Sequence, residues 1–247
     1  MGSRHRGRWS DRHQGLLTCD VFDDRDDYKH RPARATGMTV GPGQVAFRDR
    51  LMRWSEGRLR SFPWRDPAAS RYEVFIAEMF LRRTRAEVVA DVLPRFLQRY
   101  PDLAALKTAT EADLAELIRP LGLQQMRARA LTEIADRVEE LPTAAAELRA
   151  LPHVGPYVAN ATVCFADGRP TAIVDRNVDR VYGRYLGDRW RGADPDGQQA
   201  IAAAMLDEAA PRRYNLALLD FAAAVCTARS PACAGCVMAD RCAEVNT

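Results

Sequence analysis

The chain has 247 residues, 47% hydrophobic and 28% charged, with a formal net charge of +3. That balance excludes a disordered protein and leaves material for one or two globular domains. No run of about 18 apolar residues is present to span a membrane, and the start, MGSRHRGRWSDRHQ, lacks the apolar stretch of a secretory signal, so a reducing, intracellular setting is expected. The cations are almost all arginine, with Lys29 and Lys107 the only lysines. Arginine grips phosphate with two parallel bonds, so this bias is compatible with nucleic acid without proving it.

Residues 1–43 are polar, of mixed charge and without sustained periodicity, and read as a disordered extension, with Met38 an alternative start. From Gln44 onward the signals are helical: Val45, Phe47, Leu51 and Trp54 recur every third or fourth residue. Tyr72 to Tyr100 continues the pattern and is broken by the polar run Arg82-Arg83-Thr84-Arg85, which predicts two helices. Short helices are predicted over Asp102 to Leu106 and Glu111 to Ile118, the latter stopped by Pro120 and Gly122. Longer or similar ones follow over Met126 to Glu140, Thr143 to Ala150 with Thr143 as N-cap, Pro156 to Phe165, Asn177 to Leu186, Gln198 to Ala209 and Asn215 to Cys226. Extended runs are brief and isolated, so the fold class is all-α.

Three places in this helical pattern carry chemistry. Leu151-Pro-His-Val-Gly155-Pro-Tyr-Val-Ala159 reads as two helices joined by a very tight turn. It is either an ordinary helical hairpin or one whose backbone N–H groups, at a helix N-terminus, hold a phosphate. In Ile173-Val-Asp175-Arg-Asn177-Val-Asp-Arg-Val181, Asp175 precedes a helix; an N-cap and a ligand-facing carboxylate are compatible readings. Glu78 lies inside the apolar run Val74 to Leu81. It either faces solvent or is desolvated, with a raised pKa that readies it as a proton donor.

The chain closes with Cys226-x6-Cys233-x2-Cys236-x5-Cys242, with Cys19 and Cys164 outside the cluster. Thiolates gathered within seventeen residues of an intracellular protein point to a metal rather than to disulfides. Spacing alone leaves zinc and a [4Fe–4S] cluster both open.

Taken together, the hairpin, the Val-Asp-x-Asn-Val-x-Arg-Val segment and the terminal cysteines resemble the endonuclease III and MutY superfamily of helix-hairpin-helix DNA glycosylases, from about Phe47 to Cys242. Phe62-Pro-Trp-Arg65, Glu78 with Leu81-Arg-Arg-Thr84, Gly155-x-Tyr157 and Asn215-Leu-x-Leu-x-Asp220-Phe221 are most similar to the Mig-like thymine or uracil mismatch branch. The resemblance implies a two-lobed fold. A six-helix barrel domain with the hairpin (72–172) and an iron–sulfur cluster domain (44–71 and 173–247) would have a DNA cleft between them. It also implies a [4Fe–4S] cluster held by Cys226, Cys233, Cys236 and Cys242, shaping a basic loop rather than carrying electrons.

By the same resemblance, Asp175 stabilises the cationic sugar, Glu78 binds or polarises the extruded base and Tyr157 shapes the base pocket. Arg83 and the Gln124-Gln125 turn match loops that wedge into the duplex. The amides of Val154, Gly155 and Tyr157, with Arg229, anchor the DNA backbone. Lyase relatives carry a lysine where Tyr157 stands, so a monofunctional enzyme is expected, with no amine to form a Schiff base. MutY-like enzymes carry serine there and often a further C-terminal domain. The chain ends five residues after Cys242, so thymine or uracil opposite guanine is expected rather than adenine opposite guanine or 8-oxoguanine; the other alternative is a non-catalytic iron–sulfur DNA-binding protein. Its expected partner is double-stranded DNA with a mismatched or damaged base, bound by a monomer in the cytoplasm at the nucleoid. One departure is His153, where the hairpin usually has glycine.

Overall fold

A computed structural model describes residues 42–246. Apart from its last two residues, the expected extension over residues 1–43 lies outside them. Among the described residues every regular element is helical. The helices are α1 (Pro42–Trp54), α2 (Arg71–Leu81), α3 (Ala86–Arg99), α4 (Leu103–Lys107), α5 (Glu111–Leu117), α6 (Gln124–Arg137), α7 (Ala145–Arg149), α8 (Pro156–Asp167), α9 (Arg176–Leu186), α10 (Asp188–Arg191), α11 (Pro195–Met205) and α12 (Pro211–Ala224). A single 3-10 turn, Pro63–Arg65, breaks the link from α1 to α2.

Side-chain oxygens fix several starts. Ser70 and Glu73 form a reciprocal capping box on α2. Asp102, Thr110 and Asp194 accept backbone N–H bonds at the heads of α4, α5 and α11. Thr143 does not cap α7: the cap position is Ala144, without a side-chain bond. The helices predicted from Met126, Gln198 and Asn215 begin earlier, at Gln124, Pro195 and Pro211. In α11 and α12 a proline supplies the first turn, where its missing N–H costs nothing and its φ suits the helix.

Two apolar cores form. The first gathers Phe75, Phe80, Phe96, Leu114, Ile134 and Val158, with Trp64 from the 3-10 turn. The second gathers Phe47, Val74, Tyr182, Trp190, Tyr214 and Phe221. Helices α2 and α8 pack against each other and belong to both. Val74 and Cys164 face the second core, Ile76 and Val163 the first. A side chain at the outer end of this helix pair therefore sits on the seam between the cores.

Candidate active site at the seam

A cavity of about 320 Å³ opens on that seam, lined by Trp64, Glu78, Tyr157, Asp175 and Asn177, among others. Glu78 projects from α2 and is 2% exposed, which decides between its two sequence readings in favour of burial. Loss of water pushes its carboxyl from 4.5 up to about 7, against the lowering pull of a hydrogen bond from Tyr157 and the charge of Arg65; Asp175 adds to the rise. Its Oε2 atom is buried without a protein hydrogen-bond partner. Tyr157, in the first turn of α8, is held neutral well above its usual range by burial and by the two nearby carboxylates.

Asp175 is both N-cap and cavity wall. Its Oδ1 accepts from the N–H groups of Asn177 (2.9 Å) and Val178 (2.8 Å), and its Oδ2 from Asn177 Nδ2 (2.7 Å). The three donors lock the carboxylate's direction. Asn177 Oδ1 in turn accepts from Arg180 Nη2 (3.1 Å), whose Nε donates to Cys226 O (2.9 Å). A continuous hydrogen-bonded path therefore joins Asp175 to the first cysteine of the cluster.

Asp220, on α12, is 2% exposed and was not assigned a role from sequence. It accepts from Nη1 and Nη2 of Arg65 end-on through both oxygens (2.8 and 3.1 Å), and also from the N–H and Nε of Arg60 (both 2.8 Å). Burial opposes its ionisation, yet the two guanidiniums hold its carboxyl below the usual range. Both arginines lie over the ring of Phe62, which stacks on Trp64 at 4.8 Å. These partners lie 155 and 160 residues apart in sequence, and no local signal marks them.

The expected DNA contacts fall on two faces of this scaffold. Arg83 is exposed in the α2–α3 turn with φ +59°. Gln124 and Gln125 are not in a turn: they open α6, and the turn residue before them is Leu123, at φ +52° and 47% exposed. The hairpin forms between α7 and α8. Within it the Val154 amide donates to Leu151 O at 3.3 Å, so of the expected anchors only the Gly155 and Tyr157 amides stand at the head of α8, beyond reach of an intrahelical carbonyl. His153 adopts φ +62°; its ring meets Glu133 Oε2 of α6 at 3.0 Å and its carbonyl accepts from Arg82.

The four terminal cysteines are free and partly buried. Burial raises the Cys236 and Cys242 thiols, and the charges of the neighbouring cysteines add to the rise. Among the described residues no three ligand-type side chains converge as they would on a single metal ion. Arg184 Nη1 approaches Cys226 Sγ at 3.5 Å and donates to Thr227 O, while its Nη2 donates to Ala228 O. That grip shapes the loop bearing the exposed Arg229.

Residues 76–205 match the model of the HhH-GPD superfamily of base excision DNA repair proteins, more than half of the chain. The chain belongs to this superfamily. Residues 226–242, which span the four cysteines, match the iron–sulfur binding domain of endonuclease III. Thymine-DNA glycosylase of Aeropyrum pernix is 35% identical over 213 residues, covering 81% of this chain and 95% of that one. Thymine/uracil-DNA glycosylase of Pyrobaculum aerophilum is 32% identical, covering 81% and 91%. Adenine DNA glycosylase of Mycobacterium tuberculosis is 34% identical, covering 83% and 69%. The solved structure of a thermostable thymine-DNA glycosylase superposes with a TM-score of 0.79 at 29% identity, covering 83% of this chain and 97% of that one. As a member of the HhH-GPD superfamily, the protein is a DNA glycosylase of base excision repair that binds DNA.

Proposed function

We propose that this glycosylase is monofunctional and hydrolyses the N-glycosidic bond of thymine or uracil opposite guanine, acting as a monomer in the cytoplasm. The observation that carries this reading is one cavity whose lining brings together Glu78, Asp175 and Tyr157, with no lysine among the described residues that line it. As the bond breaks, the sugar turns cationic and the base anionic. Asp175, fixed by its three donors, faces the sugar, stabilises that charge and orients the attacking water. Glu78, protonated below about pH 7, presents its unpartnered oxygen to a pyrimidine carbonyl and supports the departing base as a proton donor. Tyr157 holds Glu78 and forms the pocket wall; a phenol cannot form the imine that strand cleavage requires.

Four free, partly buried cysteines grouped at the C-terminus would hold a [4Fe–4S] cluster through Cys226, Cys233, Cys236 and Cys242, as the match to an iron–sulfur binding domain supports. When bound, it supplies a rigid staple for the Arg229 loop. Residues 72–172 form one lobe in this reading, and residues 44–71 with 173–247 the other, with DNA between them. Phosphates are met by the Gly155 and Tyr157 amides and by Arg229.

The thymine and uracil enzymes among the relatives support the pyrimidine. The adenine enzyme of similar identity supports a second reading, removal of adenine opposite guanine or 8-oxoguanine. Duplexes carrying T:G, U:G, A:G and A opposite 8-oxoguanine, assayed under single turnover, separate the two. Release of thymine or uracil is expected, and preferential loss of adenine overturns the proposal.

A further inference from the structure

Two turns are joined beside the cavity. The α2–α3 turn lines it through Thr84 and Arg85 and exposes Arg83; the turn before α6 exposes Leu123, with Met126, 50% exposed, one helical turn beyond. Arg83 and Leu123 both hold the left-handed backbone, which L residues adopt only under tertiary constraint.

One side chain braces both turns: Arg127, which is 7% exposed. Its Nε donates to Gly122 O (3.0 Å), its Nη1 to Met79 O (2.7 Å), and its Nη2 to Arg82 O (2.5 Å) and Thr84 Oγ1 (2.9 Å). Thr84 Oγ1 then donates across to Leu121 O at 2.9 Å. The carbonyl just before each left-handed residue, Arg82 before Arg83 and Gly122 before Leu123, is thus gripped by the same guanidinium. Its hydrogen-bond partners are three carbonyls and a hydroxyl, with no carboxylate among them. Burial, and the nearby charge of Arg82, lower its pKa to about 10, so the fold tolerates an unpaired cation at this point. A methionine would fill the same space but leave three carbonyls and a hydroxyl without this donor, and a lysine cannot aim donors in a plane at both turns.

We propose that Arg127 is a positioning residue for base extrusion, holding the Arg83 turn and the Leu123 turn in one fixed register so that they enter the duplex together. A duplex that loses a nucleotide from its stack is left with a gap, and an apolar side chain beside a guanidinium on rigid turns is suited to fill it. Met79 O belongs to the helix that carries Glu78, so the same clamp ties the register of the turns to the cavity wall. Arg127 itself touches neither substrate nor reacting atoms.

The inference rests on the proposed uracil activity, and the test separates the two. Single-turnover excision by Arg127→Met and Arg127→Lys is measured on uracil opposite guanine and on uracil opposite an abasic-site analogue, where it is already unpaired. Arg127→Met should slow excision from U:G by about 30-fold, within the cost of unstacking a base, and Arg127→Lys by an intermediate factor. Both should remain within about threefold of the parent on unpaired uracil. Equal losses on the two substrates, or no loss on U:G, overturn the proposal. Should Arg127→Met fail to fold, as thermal melting would show, Arg127→Lys provides the same comparison with a smaller expected ratio. Should the parent release no uracil from either duplex, the pyrimidine reading fails instead, and the ratio is read with adenine opposite guanine and opposite the abasic analogue.

Discussion

At Glu78, burial outweighs every neighbour: the carboxyl is raised from 4.5 to about 7. A group raised in the folded state contributes stability that is complete below the unfolded value and is lost as the pH climbs through the folded one. Glu78→Gln should therefore melt higher than the parent at pH 8, by on the order of 3 kcal/mol in stability, with the difference vanishing near pH 4. Because the proposed chemistry uses the protonated form, the parent's excision rate should fall above about pH 7. A flat profile across that range would remove the acid role. Asp175 makes the contrasting case. Asn at a helix N-cap still accepts the backbone N–H bonds but loses the one from Asn177 Nδ2, so Asp175→Asn should leave duplex binding nearly intact and lower stability by only about 1 kcal/mol. Excision should nonetheless fall about 100-fold or more, as expected when one charge-stabilising interaction is lost. Unchanged base release by this variant would end the catalytic assignment.

Between elements, the structure is held by pairs that lie far apart in the chain. Asp220 ties α12 to the segment bearing Arg60 and Arg65. Asp220→Ala leaves the largely buried Arg65 guanidinium without its carboxylate and should destabilise the protein by about 3 kcal/mol, read by denaturant midpoint. This is where sequence reading reached its limit. The break at 82–85 between two helices was legible because apolar periodicity stops there, and α2 and α3 end and begin around it. Asp175, read as a cap, marked the head of α9. The early starts of α11 and α12 were missed because proline reads as a breaker, although at the first helical position it is favoured. Gln124 and Gln125 looked like a loop because Gly122 precedes them, yet the bend is completed by Leu123 alone. Arg127 carried no signal at all: within an arginine-rich chain, nothing local distinguishes a clamped guanidinium from one on a wet helix face.

For the whole molecule, the decisive feature is that α2 and α8 serve two cores at once. Glu78 and Tyr157 come from these two helices, and Asp175 from the head of α9 on the second core, so the cavity forms only when both cores are packed. The terminal cysteines extend this coupling through Arg180 and Arg184 to Asp175 and to the Arg229 loop. Arg229→Ala should weaken DNA binding alike for all sequences and reduce the salt slope by about one. Cys236→Ser should lose visible iron–sulfur absorbance and weaken binding at least as much. If it kept full affinity, the loop would not need its staple.

The most direct measurement is borohydride trapping on mismatched duplex, run beside neutral and alkaline quenches of the same excision reaction. The account predicts free base with an intact strand, breaks only after alkali, and no covalent protein–DNA species. A trapped adduct, or strand breaks at neutral pH, would contradict it by showing that an amine of this protein captures the sugar that Asp175 is said to leave to water.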